Sequence, residues 1–566
     1  MRSTLPTIHD PSLGRDFYAK GLWQDITLYG TAKQHTQTRP DGYAVRDRQR
    51  RLTWSQLVQW ADALAGELHA AGLLAGDCVA GWLPSRVECF VLYLACSRNG
   101  YVCTLSLHQN HTVDEVFSLL ERIGASAFVG QSGYGADSDR KDIYARLSQL
   151  PTLRRAYALP ALDALESALP AVARAFPGMD VSLSLPEADD NPDKVVYLAF
   201  TSGTTGMPKA LMHSDNTLLA NGRALVKDWS LNTQTILYCL GPLSHHLATV
   251  GFLQHLVAGF EFVTNDLPKG MKVIDRIIET QADLVMGVPT HAIDMIQEMR
   301  GRGLEKLGKV KTFYMSGASI PAELVRQLIS LGITPQSVYG MSENGSHHST
   351  APDDSAETTS QTVGQAVGRH NPAYEVRIWK SEDRDVEAVQ GEIGEIGGQG
   401  AVLMLGYFNN DAATQDSFNS SGWFMSGDLG RLDERGNLQV VGRSKDLIIR
   451  GGHNIYPADI ENIALRHPCI AKAAAFPVPD ARLGEKVCLG VIPVAGAVLD
   501  AHELLAHLHQ EGLSKYDMPE YYMCVESFPM TASGKILKRE LTEQVKHGHI
   551  HPEPVRWKAD QEVANV

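Results

Sequence analysis

The chain has 566 residues, 44% of them hydrophobic and 20% charged, with a formal net charge of -14. That length exceeds one compact core and, at about 150 residues per domain, suggests three or four units, while the composition is that of a folded globular protein rather than a disordered one. The acidic balance, with no basic stripe to offset it, argues against nucleic acid as a partner.

Eight cysteines are scattered without a C-x-x-C pair and read as reduced core residues. The first ten residues lack the apolar stretch of a secretory leader, and no run approaches the roughly 18 apolar residues of a membrane span. The expectation is a cytoplasmic protein with no integral membrane segment.

From the N-terminus, Leu57, Val58, Ala61, Leu64, Ala65 and Leu68 recur at helical spacing and predict an amphipathic helix over 54–73. The run 77–84 reads as a strand closed by Pro84, with Ser85 suited to cap a second helix through Val87, Phe90, Val91 and Leu94. A helix over 112–123 and a strand over 125–129 repeat the alternation, which predicts an α/β fold with mostly parallel sheets. Residues 130–193, rich in Pro, Ala, Ser and Asp, read as a surface connection. A buried strand over 195–200, a helix over about 216–229 and a strand over 236–240 resume the pattern, which runs to about 365. Short strands at 376–378, 394–396 and 438–441, separated by glycine turns, predict a β-rich subdomain, and a last α+β unit follows to about 545. The remaining tail is expected to be loosely held.

The strand over 195–200 runs into Thr201-Ser202-Gly203-Thr204-Thr205-Gly206-Met207-Pro208-Lys209. Glycines admit close backbone approach, hydroxyls and N–H groups bind phosphate oxygens, and Lys209 adds a point charge, so the segment reads as a phosphate cradle. It departs from G-x-x-x-x-G-K-[ST], because Pro208 precedes the lysine and Ala210 follows it, and a Walker-type NTPase is set aside. Further along come Tyr339-Gly340-Met341-Ser342-Glu343, Gly422-Trp423-Phe424-Met425-Ser426-Gly427-Asp428, Gly442-Arg443-Ser444-Lys445-Asp446 with Gly451-Gly452-His453-Asn454-Ile455-Tyr456-Pro457, and Ser533-Gly534-Lys535. These motifs, in this order, resemble the adenylate-forming superfamily of acyl-CoA synthetases, peptide-synthetase adenylation domains and luciferases. The run Gly512-Leu513-Ser514-Lys515-Tyr516-Asp517-Met518-Pro519-Glu520-Tyr521, and the general run of the chain, look most like ligases for cyclic or medium-chain acids, such as cyclohexanecarboxylate-CoA ligases.

The resemblance implies activation of a small carboxylic acid by ATP with Mg²⁺, then transfer to coenzyme A, in a site between a large domain of residues 1–444 and a mobile C-terminal domain of 445–566. Thr201, Ser202, Gly203, Thr204, Thr205, Gly206 and Lys209 would hold the β- and γ-phosphates. Glu343 is a hard oxygen donor suited to Mg²⁺, with Thr204 as a second candidate, although a glutamate on a loop is as often simply solvated. Ser316, Gly317, Ala318 and Ser319 would form one wall for adenine and Tyr339, Gly340, Met341 and Ser342 the other, with Asp428 and Arg443 on the ribose. Lys535 is implied as the catalytic lysine of adenylation.

Lys445 and its neighbour Asp446 compete for the hinge position, and Lys445 is chosen. Gly451 and Gly452 would let a pantetheine arm pass, or form an ordinary Gly-Gly turn. His245, His246, Val250, Gly317 and Gly340 would border the acyl group. The two histidines have no third ligand in view, so zinc is not expected. The absence of an aspartate in 242–251 points away from amino acids, leaving cyclic, aromatic or medium-chain monocarboxylates. Two rivals stand beside this reading: an adenylating enzyme that loads an acyl carrier protein, and a nucleotide-binding regulator without turnover. The oligomeric state is not legible, a homodimer being one option.

Overall fold

The computed structural model describes residues 11–162, 168–181, 183–201, 208–318, 320–494, 496–530 and 536–557. Two large sheets dominate the N-terminal part. One has seven strands, in the order Arg174–Ala175, Arg155–Leu159, Ala127–Gln131, Cys78–Trp82, Val102–Thr104, Val195–Thr201 and Lys209–Ser214. All its pairings are parallel except the last, in which Val195–Thr201 and Lys209–Ser214 run antiparallel. The other has nine strands, with five parallel pairings through its centre and antiparallel strands at both edges. The expected α/β fold with mostly parallel sheets is therefore what the chain adopts.

Between these sheets lies a helical layer. Trp54–Ala70 packs on Val87–Asn99, and Asp215–Asp228 packs on His246–Ala258. One continuous apolar cluster joins them to both sheets, including Val79 and Val129 from one and Leu237, Phe262 and Met286 from the other. Every residue of Val87–Asn99 is buried, as expected of a helix covered on all faces. Thr53 and Thr112 cap their helices through full capping boxes with Gln56 and Glu115. Ser85 does not cap Val87–Asn99, whose N-cap residue Arg86 makes no side-chain capping bond; Ser85 Oγ instead accepts the Leu243 N–H at 3.0 Å.

Two regional expectations are corrected. Residues 130–193 are more than a surface connection, because Arg155–Leu159 and Arg174–Ala175 extend the seven-stranded sheet by parallel pairing. The tail is held as far as it is described: Glu553–Pro554 pairs with Tyr521 and Tyr522, and Trp557 lies against the C-terminal core.

A four-stranded antiparallel sheet follows, of Tyr374–Trp379, Gly394–Gly400, Phe424–Leu432 and Leu438–Arg443, which is the expected β-rich subdomain. A one-turn 3-10 helix, Ser444–Asp446, leads from it to a smaller C-terminal α+β domain. That domain is built on a six-stranded sheet between Ile448 and Pro554, with its own core of Ile460, Leu489, Leu504 and neighbours. Its helix Pro457–Ala464 touches strand Leu438–Arg443. No helix among the described residues is long and apolar enough to cross a membrane.

Candidate active site

The predicted nucleotide segments converge at the carboxyl ends of strands, where open α/β sheets place their ligands. Thr201 ends Val195–Thr201 and is the register partner of Lys209, so these two predicted cradle residues face each other across an antiparallel pair. Ser202, Gly203, Thr204, Thr205 and Gly206 lie outside the described residues, as do Ser319 and Lys535. Met530 and Ile536 form an isolated antiparallel bridge, and the Leu537 N–H donates to Pro529 O at 2.8 Å.

Ser316 ends strand Thr312–Ser316, and Tyr339 to Met341 end the parallel neighbour Thr334–Met341, with Ser316 opposite Val338. Gly317 has φ +92 and is exposed together with Ala318. Ser342, Glu343 and Asn344 then form the turn to strand Gly345–Ser349. Asn344 Oδ1 accepts the Met341 N–H at 3.0 Å, and its Nδ2 donates to Tyr374 OH at 3.2 Å. Gly340 admits no side chain: a Cβ there would stand 1.7 Å from Gly345 O.

Glu343 is thereby held in a half-buried place, where desolvation pushes its carboxyl up from the usual range while the nearby Lys209 and Arg443 cations oppose that rise. Tyr407 OH donates to Glu343 Oε1 at 3.1 Å, and Lys209 Nζ sits 4.5 Å from the centroid of the same tyrosine ring. Sequence reading missed Tyr407. The one local sign is Gly406 before it, at φ +117, followed by Asn410 capping helix Asp411–Asp416. A one-carboxylate donor set suits Mg²⁺, which keeps waters and takes substrate phosphates as ligands, and no group of three His, Cys, Asp or Glu among the described residues forms an all-protein metal cage.

Asp428 and Arg443 are register partners on adjacent strands, with Arg443 Nε 3.2 Å from Asp428 Oδ1. Tyr339 OH donates to Asp428 Oδ2 at 2.8 Å, which ties the predicted adenine segment to the predicted ribose pair. The Tyr339 ring itself is buried, edge-on to His347 at 5.1 Å and packed with Ile378, Ile396 and Leu438.

On the predicted acyl side, His245 caps helix His246–Ala258 by accepting the Leu247 N–H. His246 stacks near His213 at 5.8 Å and Tyr197 at 6.3 Å, and Val250 lies a turn further along, fully buried. Burial drives His246 well below the ordinary imidazole range, which keeps it neutral. His213, another residue the motifs did not flag, reaches Ser342 O through Nε2 at 2.8 Å and so links this side to the Glu343 turn.

Lys445 is exposed within the 3-10 turn. Gly451 and Gly452, at φ +60 and +89, form the two-residue connection between Ile448–Arg450 and His453–Ile455. That is the geometry of a type I′ hairpin, which favours glycine with or without a ligand passing by.

A family model described as AMP-binding enzyme matches residues 32–408. The chain belongs to the AMP-binding enzyme family. A second model, AMP-binding enzyme C-terminal domain, matches residues 459–535. Among curated relatives, medium-chain fatty-acid–CoA ligase of Escherichia coli (strain K12) is 30% identical over 532 residues, 93% of this chain and 92% of that protein. Enterobactin synthase component E of the same organism is 28% identical over 533 residues, 94% and 96% of the two chains. The solved structure of ATP-bound MatB from Rhodopseudomonas palustris matches with a TM-score of 0.79 at 28% identity, covering 93% of this chain and 99% of that one. The AMP-binding enzyme described here is thus an adenylate-forming acid ligase that uses ATP, in agreement with the motif order.

Proposed function

We propose that this AMP-binding enzyme is an acid–CoA ligase for cyclic, aromatic or medium-chain monocarboxylates. One carboxylate oxygen attacks the α-phosphorus of ATP and pyrophosphate leaves; the sulfur of CoA then attacks the acyl-adenylate and AMP leaves. The observation that carries the adenylating half is the meeting of Lys209, Tyr407 and Glu343 with Tyr339, Asp428 and Arg443. A cation suited to phosphate, a hard oxygen donor and a carboxylate suited to sugar hydroxyls come from five separate segments, and such preorganisation is the main source of catalysis in phosphoryl chemistry.

Glu343 would hold Mg²⁺, which when bound neutralises charge on the polyphosphate. Thr201 and Lys209, with the cradle between them, would bind the departing pyrophosphate, and Asp428 would accept from ribose hydroxyls. Lys535 would bring its cation to the reacting carboxylate during adenylation. The C-terminal domain, taken to begin at Lys445, would then reorient about the Ser444–Asp446 turn and bring Gly451 and Gly452 to the pantetheine path. The acid's identity rests on residues 242–251, which carry no carboxylate, lysine or arginine. Their buried Leu243, Leu247 and Val250 suit a far end without charge, since an unpaired buried charge costs several kcal/mol. The relatives' names include a CoA ligase and an enterobactin synthase component; CoA is preferred on the resemblance to cyclic- and medium-chain-acid ligases, with an acyl carrier protein as the alternative acceptor.

Acid-dependent ATP–pyrophosphate exchange over a panel of acids tests the reading. Monocarboxylates of the three named kinds should exceed free amino acids and dicarboxylates by at least about tenfold, and a removed methylene should cost about 1–3 kcal/mol. Acetate as the best substrate, or an amino acid faster than its deaminated analogue, would overturn it.

A further inference from the structure

Tyr407 lies outside the motifs read from the sequence, yet it touches both of the site's charged phosphate-side groups among the described residues. Its hydroxyl bonds Glu343 and its ring face lies under the Lys209 ammonium. We infer that Tyr407 is a positioning residue with two separable functions: its hydroxyl sets the Glu343 carboxylate, and its ring sets the Lys209 cation. The inference rests on the reading of Glu343 and Lys209 as the metal-side and phosphate-side groups, and adds to it a residue that couples them.

The geometry makes the tyrosine a rigid mount. The residue is 5% exposed. Its backbone N–H donates to Thr414 Oγ1 at 2.9 Å, and it forms an antiparallel bridge with Leu211 of the strand that begins at Lys209. Two residues beyond that bridge the same strand reaches Lys209, so Tyr407 is fastened to the segment that carries the cation. It is fastened equally to the segment that carries the carboxylate, because the Met404 N–H donates to Glu343 O at 2.7 Å. The 401–408 stretch therefore splices the cradle hairpin to the Glu343 turn, and Tyr407 projects from the splice with one function for each side. A cation over an aromatic face is held by the ring quadrupole and needs no hydroxyl; a carboxylate at the ring's edge needs the hydroxyl and not the cation. The two halves are thus chemically independent, and substitution can separate them.

The test is ATP binding to the full-length protein by isothermal titration, with Mg²⁺ and in excess chelator, for Tyr407→Phe, Tyr407→Leu, Glu343→Gln, Lys209→Met and the doubles. Tyr407→Phe should weaken Mg²⁺-ATP binding about fivefold or more, leave chelated-ATP binding within twofold, and add less than twofold on the Glu343→Gln background. Tyr407→Leu should also weaken chelated-ATP binding, an effect that disappears on the Lys209→Met background. Phe keeps the buried ring, and a thermal unfolding scan confirms that each variant is folded; if the leucine variant is not, the phenylalanine and Lys209→Met pair still decides, since their effects should multiply. Equal losses with and without Mg²⁺ for Tyr407→Phe, or independent effects of Tyr407→Phe and Glu343→Gln, would overturn the assignment. A wild-type protein that binds no ATP would instead overturn the nucleotide-site reading beneath it, a failure seen before any variant is made.

Discussion

Gly340→Ala is the sharpest steric perturbation of the Glu343 turn. An added Cβ would lie 1.7 Å from Gly345 O, 2.7 Å from Gly345 C and 2.9 Å from Ser346 Cα, all of them backbone atoms that cannot rotate aside. The carbonyl must retreat by roughly an ångström or more, so the strands Thr334–Met341 and Gly345–Ser349 must part at the base of the turn that carries Glu343. Gly345 is itself hemmed in, since its own φ is +60 and the facing Asn221 side chain bonds the Ser346 N–H and C=O. Overpacking of this kind costs about 1–3 kcal/mol or more in stability, and a displacement of about 1 Å at a catalytic group costs on the order of 10²-fold in rate. ATP–pyrophosphate exchange should therefore fall about a hundredfold, with a lowered unfolding midpoint. Gly301→Ala, where nothing lies within 4 Å at the end of helix Pro289–Gly301, is the control and should leave exchange unchanged and stability level or slightly raised. An alanine at 340 with exchange within twofold of wild type would refute the argument that this glycine fixes the turn.

Burial holds His108, His255 and His348 neutral with pKa values lowered to about 3. The unfolded chain protonates them near pH 6.5, so the stability they contribute is intact above that pH and is lost as pH falls toward 3, by up to about 1.4 kcal/mol per unit for each proton. Unfolding midpoints that stay flat between pH 6.5 and 5 would contradict this sign. Lys538→Met should destabilise the C-terminal domain by up to about 3–5 kcal/mol, because Lys538 Nζ lies 2.6 Å from Glu461, whose carboxyl burial already pushes up. Pairing it with Glu461→Gln should restore much of the loss in denaturant unfolding, and simple additivity would argue against a coupled pair. Gly452→Ala meets no atom within 4 Å but must hold φ +89, a strain of about 1–2 kcal/mol. It should slow thioester formation while sparing pyrophosphate exchange, and a loss of exchange would place this turn in the first half-reaction.

Local chemistry made much of the chain readable. The helix at Trp54–Ala70 follows from apolar spacing behind a Thr53 cap, and the Asp428–Arg443 pair was named from two motifs that prove to be register partners. What was missed depends on contacts between distant segments. Lys209–Ser214 is a short, mixed-polarity strand held between Val195–Thr201 on one side and residues 405–408 on the other. Tyr407 meets Glu343 across 64 positions of sequence, and His213 meets Ser342 across 129. Tyr339 offers a flat ring to a reader of sequence, whereas the fold buries that ring and uses the hydroxyl to hold Asp428. Ser85 had the chemistry of a cap, but the Leu243 N–H from another layer claims it.

The claim that the adenylate is passed to CoA is tested most directly by giving the purified enzyme ATP, Mg²⁺ and the acid that best supports exchange. CoA and a phosphopantetheinylated acyl carrier protein are supplied in separate reactions, and the thioesters are identified by mass. Stoichiometric acyl-CoA and AMP with no carrier present is the expected result. An acyl group that appears only on the carrier, with CoA left as the free thiol, would contradict it.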